Sequence, residues 1–259
     1  VRSMILLAAA LAWAGSAEAQ SLRLDGHHVT VKIEADRHGA CPIYRATSKR
    51  PQLYVGLAEM SVGDQYRITV TPHERGRRYA VGLSVDGLCT LTRKQGGGRS
   101  ANSWTMRHMI ERGKGCTISG WREWERRPRV GDMSYTIRRF TVTSAANSLN
   151  AHIGANPWAI GVIWVTVFPE KGDRDYWDRK SRPIFGEQGT GAGERMRSPV
   201  RVREFESERY ACEEFGIAYR TAEALGRMQI GKQQTTTGHW SIPSRETRDG
   251  FVGRLPRTD

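Results

Sequence analysis

The sequence predicts an all-β chain, an antiparallel β-sandwich with one short C-terminal helix and disordered ends. Three observations lead there. Short segments alternate apolar and polar residues with a period of two, turn-forming residues separate them, and almost no stretch carries the period of an amphipathic helix. At 259 residues the chain can bury an adequate core without metals.

Taken in order, Val1 to Ala19 has the layout of a signal peptide. A basic Arg2 is followed by an apolar run from Met4 to Ala14 and by the small-residue triplet Ala17-Glu18-Ala19, which predicts cleavage before Gln20. The run is too short to span a bilayer comfortably, no later stretch is apolar enough to do so, and no cysteine follows it for lipid attachment. The expected product is periplasmic or secreted, with no transmembrane segment.

Residues 20–52 form an N-terminal strand and loop, 53–230 the sandwich and 231–259 a tail with little apolar periodicity, expected to be disordered. His28 to Glu34 places Val29, Val31 and Ile33 on one face of a strand, and residues 35–52 read as a loop. Tyr66 to Thr71 alternates in the same way. Tyr79 to Val85 is a strand ended by Asp86-Gly87, a pair suited to the positive φ angles of a tight hairpin.

Beyond a glycine-rich stretch at 95–103, Trp104 to Met109 and Cys116 to Trp121 predict two short strands. Tyr135 to Thr143 alternates with neither face purely apolar, so either could point inward. Trp158 to Phe168 is the least polar stretch after the leader and predicts a central strand buried on both faces. Residues 169–199, which include Gly189-Thr190-Gly191-Ala192-Gly193, read as loop. Val200 to Glu206 and Glu214 to Arg220 predict the last strands, and Ala222 to Met228 a short helix.

The chain carries 40 Lys and Arg against 27 Asp and Glu, a net charge of +13. Loss of residues 1–19 removes one charge of each sign and leaves that value unchanged. Outside the cytoplasm such a protein is drawn to anionic partners: an acidic glycan, lipid headgroups, or a complementary envelope protein. Solvated arginine on ordinary surface is the alternative. Trp121-Arg122-Glu123-Trp124-Glu125-Arg126-Arg127 interleaves aromatic and basic residues, which suits either a binding surface made of Trp121, Arg122, Trp124, Arg126 and Arg127 or a strand end with one buried tryptophan.

Four cysteines in an oxidising compartment predict disulfides. Cys89 with Cys116 closes the shortest gap between strand-like segments, and Cys41 and Cys212 are then either paired with each other or free. The spacings give no C-x-x-C, H-E-x-x-H, G-x-S-x-G or S-x-x-K motif, so no metal site, cofactor or serine nucleophile is expected. Catalytic residues are therefore unassigned. A non-catalytic binding or structural module is the first expectation. The alternative is an envelope glycan hydrolase using a carboxylate pair drawn from residues such as Glu123, Glu125, Asp173, Asp175 and Asp178.

Four short motifs occur in order: Val85-Asp86-Gly87-Leu88, Gly120-Trp121-Arg122, Gly161-Val162-Ile163, and Gly189-Thr190-Gly191 ahead of Ser198-Pro199-Val200. Over roughly residues 55–230 the chain resembles a group of exported, β-rich bacterial proteins of no established activity. It departs from them in Cys89 and Cys116 and in a longer segment between them. The resemblance implies an exported β-domain and transfers no catalytic residue.

Overall fold

A computed structural model describes residues 21–46, 48, 52–95, 107–123, 134–154, 156–171, 188–199 and 206–228. The expected signal peptide and tail lie outside these residues, as does the expected strand Val200 to Glu206 apart from Glu206. Among the described residues fifteen strands run in chain order: β1 (Leu24–Asp25), β2 (Val29–Ala35), β3 (Gly39–Ala40), β4 (Ile43–Ala46), β5 (Leu53–Glu59), β6 (Gln65–Pro72), β7 (Tyr79–Val85), β8 (Leu88–Cys89), β9 (His108–Ile110), β10 (Cys116–Ile118), β11 (Gly120–Glu123), β12 (Ser134–Ser144), β13 (Val162–Pro169), β14 (Gln188–Pro199) and β15 (Glu213–Arg220). Helix α1 (Leu149–His152) precedes β13 and α2 (Ala222–Arg227) follows β15.

The strands form two sheets, as the alternation predicts. One has the order β1-β2-β6-β12-β11, with β3, β10 and β14 branching from β2, β6 and β12; the other has the order β4-β5-β15-β13-β7-β8, with β9 on β7. Pairing is antiparallel except between β15 and β5, which run parallel. The loop expected at 35–52 holds β3 and β4, so the sandwich begins before residue 53 and its N-terminal segment feeds both sheets.

Period-two alternation puts Val29, Val31, Ile33, Tyr66, Ile68 and Val70 of the first sheet against Val81, Leu83, Val85, Ile163, Val165, Val167, Phe215, Ile217 and Tyr219 of the second. All are buried. Each large aliphatic or aromatic side chain so enclosed stabilises the fold by roughly 1.5–3 kcal/mol. The open question on β12 is settled by Phe140 and Val142, which point inward.

The apolar stretch after Pro157 becomes a strand only at Val162, since Pro157–Ala159 makes a 3-10 turn. From there β13 is central and buried along its whole length. Asp86 and Gly87 take φ of 52° and 74° in the β7–β8 hairpin, where Val85 pairs with Leu88. Both values suit a turn whose twist matches the strands. The last helix is capped by Thr221, whose side chain accepts from the Ala224 N–H at 3.2 Å.

Two expectations are corrected. The glycine run 189–193 lies within β14, not in a loop: it runs along β12 from Gln188 opposite Ser144 to Pro199 opposite Ser134. Glycine composition suggests a bend, whereas here it permits close approach. A Cβ on Gly191 would stand 2.5 Å from Thr143 Cγ2, and one on Gly193 would stand 2.3 Å from Thr141 Oγ1.

The cysteines form no disulfide, and no pair is at bonding distance. Cys89 belongs to the β7–β8 hairpin of one sheet and Cys116 to β10 of the other, so a short gap in sequence does not bring them together. Cys41 and Cys212 are likewise free, each buried in the core. No helix among the described residues is long and apolar enough to cross a membrane.

Candidate functional site

The feature with the clearest chemical consequence is an arginine cluster gathered on Glu123 where β11, β12 and β14 meet the turn after β8. On β11, Trp121 faces the core and Glu123, two residues on, shares its face. Trp121 pairs with Arg138 of β12, which in turn pairs with Arg195 of β14.

The register then shifts: Arg138 is opposite Arg195, but Phe140 is opposite Ala192. One residue of β12 therefore faces Gly193 and Glu194 together, a bulge on β14. Ala192 and Arg195 are an odd number of positions apart and would point to opposite faces of a regular strand. The extra residue puts both on the inner side, which is how Arg195 joins Arg138 and Glu123.

Arg138 Nε donates to Glu123 Oε1 at 2.9 Å, and Arg195 Nε stands 2.9 Å from Oε2. The third guanidinium comes from the opposite sheet. Arg93, in the turn after β8, sits at φ 55°, a left-handed backbone that costs a side-chain-bearing residue on the order of 1–2 kcal/mol. Its Nη2 lies 3.2 Å from Glu123 Oε1 but out of hydrogen-bond alignment, and its buried Nε has no acceptor among the described residues.

Burial acts to raise the Glu123 carboxyl. Contact with Arg93, the Arg138 hydrogen bond and the charges of Arg138 and Arg195 outweigh it and hold the group below the usual carboxylate range. Glu123 is 17% exposed and Arg195 67%, so the anion lies inside and the cations open outward.

Stability accounts for little of this arrangement. Partly exposed ion pairs contribute about 0–1 kcal/mol each, and Arg138 directly opposite Arg195 is a destabilising like-charge pair. Three guanidiniums on one carboxylate leave a local excess of two positive charges and more N–H donors than acceptors. Such a surface attracts anions.

Two other carboxylates are fully enclosed. Asp86 Oδ1 accepts from Gly161 N–H at 2.7 Å and from the Tyr219 hydroxyl at 2.6 Å, while Oδ2 accepts from Thr190 N–H. Thr190 Oγ1 continues the chain, 2.6 Å from the hydroxyls of both Tyr219 and Tyr66. The relay links a hairpin and β15 of one sheet to β14 and β6 of the other. Burial pushes the Asp86 carboxyl up to about 7 against the pull of its donors.

Glu213 accepts from the successive N–H groups of His27, His28 and Val29 at 2.7–3.3 Å, and burial likewise raises it to about 7. In both, the oxygens are occupied by backbone donors inside the protein. They lock the sheets together and present no oxygen to a substrate.

Of the residues nominated for binding, Trp121 is fully buried and stacks edge-on against Phe140 at 4.9 Å, and Arg122 is only 4% exposed. Neither forms an open surface, because the alternation that suggests an exposed aromatic row continues a strand whose inner face enters the core. Trp124, Arg126 and Arg127, with Glu125, Asp173, Asp175 and Asp178, lie outside the described residues. Glu123, which gathers the cluster, belongs to the interleaved segment 121–127, while Arg93, Arg138 and Arg195 lie outside it.

Arg138 and Arg195 are distant in sequence, and the bulge that aligns them has no motif beyond Gly193. His73 has both ring nitrogens engaged, with the His27 carbonyl oxygen at 3.0 Å and Thr30 Oγ1 at 2.8 Å. No group of three or more His, Cys, Asp or Glu among the described residues is arranged to hold a metal. In comparisons with known proteins, no family model, curated protein or solved structure matches the chain.

Proposed function

We propose that the protein is an exported, non-catalytic binding module of the cell envelope that engages anionic partners, an acidic glycan, lipid headgroups or a complementary envelope protein, through the arginine cluster. The observation that carries this reading is the convergence of Arg93, Arg138 and Arg195, from three separate elements, on the single carboxylate of Glu123. The overall charge of +13 supports it by steering anions toward the surface. The leader-like layout of residues 1–19 and the resemblance to exported β-rich proteins support a location outside the cytoplasm.

Binding to dextran sulfate and to vesicles containing anionic lipid tests the reading. Affinity falls steeply between about 50 mM and about 200 mM salt if charge neutralisation drives association. Binding that is insensitive to salt, or no binding at the lower concentration, refutes it.

A further inference from the structure

We infer that the Arg93, Arg138 and Arg195 cluster is a discrete site for one phosphomonoester group, with Glu123 serving as the internal counter-ion that pre-sets the guanidiniums. The assignment rests on the anionic-partner reading and narrows it from a charged surface to one site and one ligand chemistry. Charge balance is the first ground. The three arginines and Glu123 together carry an excess of two positive charges, and a phosphomonoester carries about −1.5 to −2 near neutral pH. A sulfate ester or phosphodiester, with one negative charge, leaves half of that excess uncompensated.

Donor geometry is the second. Arg138 and Arg195 each direct Nε to Glu123, so the terminal nitrogens of both forks stay available in this contact. Arg93, 35% exposed, adds a third guanidinium whose Nη2 stands 3.2 Å from Glu123 Oε1. A tetrahedral phosphate offers three terminal oxygens to such donors, and guanidinium forks match that geometry.

Pre-organisation is the third. Strands β12 and β14 fix two of the arginines, and the left-handed backbone at Arg93 fixes the third. Less side-chain freedom is then lost when the ligand arrives.

The phosphate could be borne by a lipid headgroup or by a phosphorylated sugar, and the experiment separates these sources. Titration calorimetry of the purified chain with glucose 1-phosphate, methyl phosphate, dimethyl phosphate and methyl sulfate is run beside sedimentation with phosphatidylcholine vesicles containing phosphatidic acid or phosphatidylglycerol. The expected result is one phosphomonoester per chain, bound about tenfold or more tighter than the diester or the sulfate ester at equal salt. Saturation by the soluble sugar phosphate assigns a glycan source. A preference seen only for phosphatidic acid over phosphatidylglycerol assigns a lipid source.

Arg195→Gln and Arg93→Gly each weaken monoester binding by about tenfold or more. Arg67→Gln, which removes a guanidinium held by Glu34 on β2, leaves it unchanged. Arg93→Gly also guards against misfolding, because glycine takes the left-handed backbone without strain. Its melting temperature stays equal or rises while binding is lost.

Equal affinity for monoester and diester, or equal losses from Arg67→Gln and Arg195→Gln, overturns the site. If salt-dependent vesicle binding persists in that case, the broader anionic-partner reading stands. Absence of all anion binding overturns both.

Discussion

Replacing Asp86 by asparagine tests the account of the buried relay, because shape is kept while charge and one acceptor are lost. If the amide nitrogen takes the Oδ1 position, Tyr219 can turn to accept from it but Gly161 N–H is left facing a donor; if it takes the Oδ2 position, Thr190 N–H is. Either way one buried N–H loses its partner, at a cost of about 1–3 kcal/mol.

Against this stands the cost of ionising the native side chain. A rise from the ordinary 3.8 to about 7 corresponds to about 4 kcal/mol at roughly 1.36 kcal/mol per pH unit. Because the folded value lies above the unfolded one, the Asp86 contribution is fully present below about pH 4 and is lost as pH rises through about 7. The neutral acid suits the relay: its proton can go to Tyr219, which then donates to Thr190.

Urea denaturation of both proteins from about pH 4 to about pH 8 should therefore show asparagine less stable by about 1–3 kcal/mol at the acid end. The difference should shift in its favour by about 4 kcal/mol toward the alkaline end, so the two curves cross. A difference that stays flat, or that moves against asparagine as pH rises, refutes the reasoning, since it would mean that the donors outweigh burial at this site.

Glu213→Gln should behave with the same sign, since its carboxyl is also raised to about 7. It should cost about 1–3 kcal/mol at the acid end through one N–H left unpaired among residues 27–29, and faster amide exchange there would register the loss. Gly193→Ala should destabilise by about 1–3 kcal/mol, read as a lower urea midpoint, because its methyl group would enter the space of Thr141 Oγ1 and the Arg139 carbonyl oxygen; an unchanged midpoint would contradict the placement of the bulge. Burial pushes the Cys41 and Cys116 thiols up to about 11, so near neutral pH they should alkylate roughly 100-fold more slowly in the folded protein than an ordinary thiol does. All four cysteines should label after unfolding without reductant, and a linked Cys89–Cys116 peptide would show the free-thiol structure to be wrong.

The candidate site was only partly legible in the sequence. The interleaved segment at 121–127 marked the place because aromatic and basic residues alternate there, but alternation gives two faces and does not say which is inward. Trp121 took the inner face, and Glu123, on that same face but past the core's edge, became the anchor of the cluster. Arg93 was silent as a motif, its left-handed backbone being visible only in three dimensions. The buried carboxylates were equally silent. Asp86 reads as a turn residue and Glu213 as a strand end, and their roles come from Thr190, Tyr219 and the backbone of residues 27–29, all far away along the chain.

What the sequence determined by itself was local: strands over 28–34, 66–71, 79–85 and 214–220, each within a residue or so of the strand that forms, the Asp86-Gly87 reversal, a short final helix and the two-sheet class. These follow from side-chain alternation, turn chemistry and capping, which act within a few residues. Only the tertiary structure decided that the glycine run is a strand, that β15 pairs in parallel with β5, that Cys89 and Cys116 belong to different sheets, and that three arginines meet at Glu123. Each depends on which strand lies beside which. That choice is made by the packing of two faces against each other and by register, and no local pattern contains it.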